Sequence, residues 1–377
     1  MKDGPNASLV GRPGSRYDLA TPALLLDLDV LERNLAQAAD LVRNAGLRLR
    51  PHFKAHKSIE IARRQLEAGA SGVCVATIGE AESIASSLPC ADILLTSILS
   101  TPIQLERVVA LRRIGASVTL VVDSIGQAQA LSECCRNAGS EVSVLIDLDM
   151  GRERSGCPTA EDAVKLARFL NEEPRLRLAG VQVYAGQLSH IDDAGELGRA
   201  YDRFAARLAG FQKALIPSLP RPPVLSGGST GSMALDLQSG LLSELQCGSY
   251  ALMDVEYLRQ NPGPDLWPFA PAVFVQSSVI SANWNDHVIT DAGAKRFASK
   301  YGSEPLVARG TDSRNVFHVL SDEHGWLQVP FGPAATLGAR LEFIVPHCDP
   351  TINLFDTYHV VRGDTLVDIW PVDGRGR

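Results

Sequence analysis

Between about residue 29 and residue 250, short runs of β-branched and leucine residues alternate with longer stretches of helical periodicity. This alternation is typical of β–α units that build a parallel sheet. The strand-like runs number eight and cover residues 47–52, 72–75, 92–96, 117–122, 142–147, 178–183, 223–226 and 244–247. Amphipathic segments lie between them at residues 58–68, 78–86, 102–114, 124–138, 159–171 and 194–215. This pattern predicts an α/β fold, a TIM-like (β/α)8 barrel, rather than a doubly wound sheet.

The pattern changes after Tyr257. Residues 261–271 are rich in Pro and Gly and indicate a hinge, and alternating runs separated by turn residues follow at 272–280, 341–345 and 358–361. We interpret this part as a second, mainly antiparallel β domain, and we expect the N-terminal strand at residues 23–27 to pair with it. The predicted domains are therefore a barrel over residues 28–260 and a β domain formed by residues 1–27 and 261–377.

Composition and charge narrow the choice of partners. The chain has 377 residues, 45% of them hydrophobic and 21% charged, which is ordinary for a globular protein. Its formal net charge of −7 argues against a nucleic-acid or membrane surface, because both require a basic face. The sequence contains neither a run of about 18 apolar residues nor the apolar region of a secretory signal. We therefore expect a cytoplasmic protein that acts on a small molecule.

A lysine follows the first predicted strand. Residues 51–58 read PHFKAHKS and place Lys54 at the mouth of the barrel, where the loops after the strands carry the catalytic groups. A nearby cation or a desolvated pocket would lower the pKa of Lys54, as an imine-forming amine requires. The alternative is a solvated basic loop before a helix.

Two loops rich in small residues follow the seventh and eighth predicted strands, where such barrels favour a phosphate site. Residues 226–232 read SGGSTGS and residues 247–250 read CGSY. Loops with little side-chain bulk, free backbone N–H groups and hydroxyls can hold a phosphate. Either loop alone could be a tight βα turn, but two at neighbouring positions favour the phosphate interpretation.

Seven motifs in the same order resemble the D-threonine aldolase and D-serine dehydratase group of the alanine-racemase-like, fold-type III enzymes that use pyridoxal 5′-phosphate (PLP). They are PHFKAHK at 51–57, DMGRERSG at 149–156, YAGQLSH at 184–190, the 226–232 loop, QCGSY at 246–250, DAG at 291–293 and PHCDP at 346–350. The resemblance spans nearly the whole chain and is therefore more specific than any single motif.

The resemblance implies that PLP is bound through an imine at Lys54, with His52 beside it, Arg154 near its phenolic oxygen and Tyr184 against its ring. It also implies a departure at Gln246, where alanine racemases have an arginine that faces the pyridine nitrogen. A neutral side chain there makes racemisation the less expected reaction. The remaining residues implied to bind the cofactor, mostly through its phosphate, are Gly228, Ser229, Thr230, Gly248, Ser249 and Tyr250.

A second chemical site is expected at His347 and Asp349. In an extended segment these side chains would share one face, with Cys348 on the other. Imidazole and carboxylate suit a divalent metal with open coordination positions, although a solvated turn produces the same pair. In the family these positions carry the metal ligands, His-x-Asp in aldolases and His-x-Cys in dehydratases, so Asp349 favours the aldolases. The ligand types do not choose among Mn²⁺, Mg²⁺, Co²⁺ and Zn²⁺.

The expected activity is that of a carbon–carbon lyase, a PLP- and metal-dependent aldolase that cleaves a D-β-hydroxy-α-amino acid, such as D-threonine or a 3-hydroxy-D-aspartate, to glycine and an aldehyde. Lys54 is the catalytic lysine, and His190 is our candidate for the base that deprotonates the metal-bound β-hydroxyl. Alternatively, His190 positions the substrate by hydrogen bonding. Two other functions remain, a D-serine dehydratase-type ammonia-lyase and a non-catalytic PLP-binding protein, and the β domain and the His-x-Asp motif argue against the latter. We expect a homodimer.

Overall fold

The structure is a computed structural model that describes residues 4–260, 268–300, 302–332 and 335–377. Residues 261–267 of the predicted hinge therefore lie outside the described residues. Cα proximity divides the chain into two compact units. The first, here the β unit, comprises Met1–Gln37, Ala55–Glu60 and Ser249–Gly376, and the second, the barrel unit, comprises Ala38–Lys54, Ile61–Gly248 and Arg377. The predicted domain boundaries after residues 27 and 260 stay a prediction.

The strands are β1 Ala23–Asp27, β2 Arg48–Leu49, β3 Val73–Val75, β4 Asp92–Leu95, β5 Ser117–Val122, β6 Val142–Asp147, β7 Leu176–Val183, β8 Val224–Gly227, β9 Glu244–Leu245, β10 Val273–Ser281, β11 His287–Thr290, β12 Leu306–Arg309, β13 Phe317–Val319, β14 Gly325–Gln328, β15 Arg340–Ile344, β16 Thr357–Arg362 and β17 Thr365–Pro371. The α-helices are α1 Leu28–Asn44, α2 Ile59–Glu67, α3 Ile78–Ser87, α4 Pro102–Arg113, α5 Ile125–Ala138, α6 Ala160–Glu172, α7 Ala194–Leu215, α8 Met233–Ser239, α9 Val255–Leu258 and α10 Cys348–Ile352. Short 3₁₀ turns cover Ala7–Leu9, Ser15–Tyr17, Phe53–Ala55, Gly186–His190, Ile216–Ser218 and Ser249–Ala251.

The barrel unit contains eight parallel strands in the order β2-β9-β8-β7-β6-β5-β4-β3. An isolated parallel bridge pairs His52 with Cys74, and the Cys74 N–H donates to the Pro51 carbonyl at 2.8 Å, which joins the two ends of this order. Inside, one buried residue from each of β3 to β6 contributes to a common apolar cluster, namely Cys74, Leu94, Val121 and Leu145. The predicted barrel class is confirmed.

The helices of the barrel unit begin where short polar side chains can accept a backbone hydrogen bond. Thr77, Ser124, Thr159 and Asp193 each accept the N–H three residues ahead and cap α3, α5, α6 and α7. Helices α5 and α6 therefore begin one residue later than the segments predicted at 124–138 and 159–171, because the first residue of each predicted segment is the cap. None of the described helices has the length and apolar character needed to cross a membrane.

The β unit contains a nine-stranded sheet with the path β13-β14-β11-β10-β1-β16-β17, in which β15 pairs with both β10 and β12. All pairings are antiparallel except the one between β1 and β16. The predicted antiparallel domain and the pairing of the N-terminal strand with it are both confirmed. Its core includes a cluster of Leu19, Ala23, Leu25, Phe274, Val361 and Leu366.

Candidate active site

A pocket lies at the carboxyl ends of the barrel strands and encloses about 420 Å³, including its opening to solvent. Because the carboxyl ends of parallel strands meet at one rim, residues from distant loops converge there. Of the lining residues, His52, Lys54, Arg154, Tyr184 and Gln246 were predicted from the sequence. The others are Ala76, Thr96, Ser97 and Gln182, which carried no recognisable motif.

Lys54 lies in the 3₁₀ turn that follows β2 and is half-buried. Its Nζ lies 5.8 Å from the centroid of the Tyr184 ring, and the guanidinium carbon of Arg154 lies 5.3 Å from the same centroid. An amine, an aromatic face and a guanidinium are thus brought together. This donor set fits a planar, anionic ring that carries an aldehyde, and it therefore fits PLP.

The hydrogen bonds of His52 define its tautomer. The Lys54 N–H points at His52 Nδ1 at 3.4 Å, so Nδ1 is the acceptor and Nε2 carries the hydrogen. Nε2 lies 3.1 Å from the Thr96 hydroxyl oxygen, and that hydroxyl donates in turn to the Val75 carbonyl at 3.1 Å. Buried His52 is thus held beside Lys54 by contacts on both of its ring nitrogens.

The floor of the pocket is a chain of buried amides. Gln182 Nε2 donates to the Thr96 carbonyl at 3.2 Å and to Asp147 Oδ1 at 2.9 Å, and Gln246 Nε2 donates to Gln182 Oε1 at 3.2 Å and to Ser226 Oγ at 3.1 Å. Burial raises the pKa of Asp147 to about 6, against the opposing hydrogen bonds and the charge of Arg154. The hydrogen bonds to Gln182 and Ser226 hold the neutral side chain of Gln246 in place.

The glycine-rich loop after β8 is compact. Gly228 has φ +76°, and a Cβ there would lie 2.7 Å from Asp236 Oδ2, so only glycine fits without strain. The Ser229 N–H donates to Ser232 Oγ at 3.1 Å, and the Ser189 hydroxyl donates to Ser229 Oγ at 2.6 Å. The Ser229 N–H is thus bonded within the loop, and the phosphate site proposed for this loop stays a prediction.

Asp236 beneath this loop is a residue that the sequence analysis missed, because it looks like an ordinary helix acid in α8. It is buried and accepts hydrogen bonds from Ser232 Oγ at 2.7 Å and Tyr201 Oη at 2.9 Å. Burial raises the pKa of Asp236 to about 6, although these hydrogen bonds oppose the shift. The carboxyl group thus fixes the hydroxyl that holds Ser229.

The other predicted cofactor and base residues do not line the pocket. Gly228, Ser229, Thr230 and Gly248 are buried in the barrel unit, while Ser249 and Tyr250 are buried in the 3₁₀ turn with which the β unit resumes. His190 ends the 3₁₀ turn after β7, on the same loop as Tyr184, and is half-buried. The roles assigned to these residues stay predictions.

The segment with His347 and Asp349 has a different conformation from the predicted one. His347 is extended, with φ −144° and ψ 131°, but α10 begins at Cys348, so the prediction of an extended segment is wrong. The reason is Asp254, whose Oδ2 accepts the Cys348 N–H at 2.8 Å and thereby satisfies the start of the helix. Cys348 is fully buried, and burial raises the pKa of its thiol well above its usual range.

His347 is held by two carboxylates that carried no signal in the sequence. Its Nδ1 lies 3.0 Å from Asp254 Oδ2 and 3.3 Å from Glu256 Oε2. Burial alone would lower the pKa of His347, but the hydrogen bond to Asp254 and the charges of Asp349, Asp254 and Glu256 raise it overall. With Nδ1 committed to the carboxylates, Nε2 is the ring nitrogen that can bind a metal, the usual arrangement of a ligating histidine.

A metal held by His347 and Asp349 would occupy an open site rather than a closed one. Across the described ranges no cluster of three or more His, Cys, Asp or Glu side chains suits a metal ion. A site made of His347 and the half-buried Asp349 would leave coordination positions for water or substrate, as catalytic metals require.

Two family models match different parts of the chain. Residues 26–254 match the family described as alanine racemase, N-terminal domain, and residues 272–361 match the putative serine dehydratase domain. The chain is 34% identical to 3-hydroxy-D-aspartate aldolase of Paracoccus denitrificans, over 96% of this chain and 93% of that protein. It is 34% identical to D-threonine aldolase of Arthrobacter sp., over 97% and 95%.

Solved structures of an aldolase and a dehydratase are also similar to the chain. The crystal structure of D-threonine aldolase from Filomicrobium marinum superposes with a TM-score of 0.89 at 35% identity, covering 96% of this chain and 97% of that one. D-threo-3-hydroxyaspartate dehydratase from Delftia sp. HT23 superposes with a TM-score of 0.80 at 29% identity, covering 94% and 98%.

Proposed function

Since the chain belongs to the alanine-racemase-like family of PLP enzymes, with D-threonine and 3-hydroxy-D-aspartate aldolases among its relatives, we propose that it cleaves D-β-hydroxy-α-amino acids to glycine and an aldehyde. It is a carbon–carbon lyase of the D-threonine aldolase type. The observation that carries the proposal is the barrel pocket, in which Lys54 Nζ lies 5.8 Å from the Tyr184 ring centroid.

PLP supplies the electron sink for the pair of electrons left when the Cα–Cβ bond breaks. Lys54 Nζ is the point of covalent attachment, and Arg154 is the cation for the phenolic oxygen. Tyr184 would pack against the cofactor ring. Gln246, which is neutral, would give the pyridine nitrogen no cationic partner, in contrast to the arginine of the alanine racemases. The loop at residues 228–230 and the turn at 248–250 are the proposed phosphate site.

A divalent metal is the second proposed cofactor, with His347 Nε2 and Asp349 as its protein ligands. Such an ion would lower the pKa of the substrate's β-hydroxyl. Asp254 supports this role because its hydrogen bond to Nδ1 orients the imidazole. Mn²⁺, Mg²⁺, Co²⁺ and Zn²⁺ all accept this donor set.

His190 is the proposed base for the hydroxyl proton. It lies six residues after Tyr184, at the end of the turn Gly186–His190 that follows β7. A half-buried imidazole on a loop that follows a barrel strand is suited to proton transfer near neutral pH. A hydrogen-bonding role toward the substrate is the alternative for this residue.

Dehydration is the second candidate reaction, because the Delftia dehydratase is also similar to the chain over most of its length. Asp349, rather than a cysteine, at the second position of the motif favours bond cleavage. The buried thiol of Cys348, with its raised pKa, is poorly suited to act as a thiolate ligand in its place. A carrier without turnover would need neither the motif nor the domain matched at residues 272–361.

The test is to incubate the purified holoenzyme with D-threonine, 3-hydroxy-D-aspartate and D-serine, each with and without EDTA. Glycine and an aldehyde, formed only without EDTA, are the expected products. Keto acid and ammonia would show a dehydratase, and the relative rates on the two hydroxy acids would identify the preferred β-substituent. We also propose a cytoplasmic homodimer, for which light scattering after size exclusion measures the mass.

A further inference from the structure

The chain directly after Lys54 is bonded to residues that lie more than 300 positions later in the sequence. The two segments concerned are Ala55–Glu60, here the post-lysine segment, and residues 372–376, here the distal segment, and both belong to the β unit. The Gly374 N–H donates to the Lys57 carbonyl at 2.9 Å, and Lys57 Nζ donates to the Gly374 carbonyl at 3.1 Å. One backbone bond and one side-chain bond therefore join Lys57 to Gly374.

A carboxylate from the distal segment caps the helix that follows Lys54. The N–H of Ile59, the first residue of α2, donates to Asp373 Oδ2 at 2.8 Å, across a sequence separation of 314 residues. Helix N-termini leave such N–H groups without intrahelical partners, and a negative charge there is also favoured by the helix dipole. Asp373 therefore supplies both a hydrogen bond and a charge.

The residues next to α2 in the sequence do not cap this helix. Ser58 is the residue type expected to cap α2, but its buried hydroxyl oxygen has no hydrogen-bond partner among the described residues. Its N–H donates instead to His56 Nδ1 at 3.2 Å. Lys57 has φ +52°, a left-handed conformation that a residue with a side chain adopts only when its surroundings impose it.

A buried tyrosine holds the remaining part of the segment. The hydroxyl of Tyr358, on β16, donates to the His56 carbonyl at 2.6 Å, and the side chain is fully buried. The carbonyls of His56 and Lys57 and the N–H of Ile59 are thus all bonded to residues from the last part of the chain. These three positions follow Lys54 by two to five residues.

We propose that Asp373 and Tyr358 are positioning residues for the catalytic lysine, acting through the post-lysine segment whose backbone they fix. The inference rests on the proposed function, in which Lys54 holds PLP. A short turn whose backbone is hydrogen-bonded at several positions limits the directions in which Lys54 can point its amine. Misplacement of a reacting group by about 1 Å can lower the rate ~100-fold.

Three variants separate this role from general stability. Asp373→Ala removes the cap, Asp373→Asn keeps an acceptor oxygen but not the charge, and Tyr358→Phe removes only the hydroxyl. Asp364→Asn is the matched control, since Asp364 lies in the exposed turn before β17 and its carboxylate accepts from Thr365. The measurements are amide hydrogen exchange of residues 55–60 in the purified protein, the pH titration of the PLP absorption band, and kcat and KM.

We expect Asp373→Ala and Tyr358→Phe to speed exchange in the post-lysine segment, to shift the pH midpoint of the band, and to lower kcat by about tenfold with little change in KM. Asp373→Asn should lie between Asp373→Ala and the wild type, and Asp364→Asn should match the wild type. If Asp373→Ala does not fold, Asp373→Asn and Tyr358→Phe carry the test.

Unchanged exchange, band and kcat in the folded variants would overturn the inference. A wild-type protein without a PLP band would instead refute the proposed function. Hydrogen exchange would then still show whether Asp373 and Tyr358 hold the segment, because it needs no cofactor. Loss of kcat with unchanged exchange and an unchanged band would also count against positioning through the backbone.

Discussion

The barrel pocket and the His347 region hold their reactive groups in different ways. In the pocket, side chains from six strand ends converge, and neutral amides and hydroxyls connect them, as with Gln182 and Gln246. Around His347 the neighbours come from two short segments and are charged, with Asp254 and Glu256 both within 3.3 Å of one ring nitrogen. One region is shaped to enclose a ring, and the other concentrates negative charge.

This difference indicates a division of chemical work. Beside a floor of hydrogen-bonded amides, the electron-sink chemistry would be supplied by the bound cofactor. Carboxylates around an imidazole raise its basicity and its affinity for a cation. We therefore expect substitutions in the barrel unit to change PLP binding, and substitutions around His347 to change metal binding, with little overlap.

The largest expected effect is that of Lys54→Ala. The purified variant should lose the PLP absorption band on dialysis, and kcat should fall by roughly three orders of magnitude or more, as for removal of a covalent catalytic residue. Absorbance before and after dialysis, followed by borohydride reduction and mass spectrometry, is the measurement. Metal affinity should stay unchanged. A borohydride-reducible adduct on the variant would show that another lysine holds the cofactor.

The second largest effect is expected for substitution of the proposed metal ligands. His347→Ala and Asp349→Ala should keep the PLP spectrum but lower D-threonine cleavage by about 100-fold or more, because a metal contributes several kcal/mol to charge stabilisation. EDTA should have the same effect on the wild type, with recovery on adding Mn²⁺. Cys348→Ser is the matched control and should remain active. A dead Cys348→Ser beside an active Asp349→Ala would place the chain with thiolate-metal dehydratases.

Asp254→Asn tests one of the two carboxylates that lie next to His347. Asp254 accepts from His347 Nδ1 and from the N–H groups of Cys348 and Tyr257, and an amide, with its single acceptor oxygen, cannot accept from all of them. Metal affinity should fall by about 10- to 100-fold, as measured by Mn²⁺ titration, while the PLP band persists. Equal metal affinity in wild type and variant would remove Asp254 from the site.

A smaller effect is expected in the glycine-rich loop. Gly228→Ala should weaken PLP binding by about tenfold and lower the free energy of unfolding by about 1–2 kcal/mol, since its Cβ meets Asp236 and φ is positive. Gly240→Ala is the control, because Gly240 has φ +62° with open space around it. Spectroscopic PLP titration and urea unfolding separate the two effects. If both variants bind PLP alike, the phosphate is held elsewhere.

The smallest effect concerns stability and pH. The pKa of Asp147 is raised to about 6 from 3.8, so between about pH 4 and pH 6 the folded protein holds a proton that the unfolded chain releases. The wild type therefore loses stability as pH rises through this window. Asp147→Asn should be more stable than the wild type at pH 7, by about 1 kcal/mol, and the gain should vanish below pH 4. Urea unfolding at pH 4, 5.5 and 7 measures it; a gain independent of pH would exclude this cause.

The sequence by itself determined the barrel and five of the nine residues that line its pocket. Alternating β and α periodicity predicts parallel strands, and parallel strands place the residues after their carboxyl ends at one rim. The place of Lys54 directly after the first strand follows from this pattern. The roles expected of His52, Arg154, Tyr184 and Gln246 came from the resemblance of their motifs to the family. The order of the seven motifs also indicated the family and its reaction class.

Only the tertiary structure decided how the charged groups are partnered. Asp254 reaches His347 across 93 residues, Asp236 lies under the glycine loop, and Asp373 caps α2 from 314 residues away. The same bond from Asp254 turned the expected extended segment at residues 347–349 into the start of a helix. Periodicity reports which face of an element is buried, but the partner of a buried polar group depends on chain crossings that a local pattern does not contain.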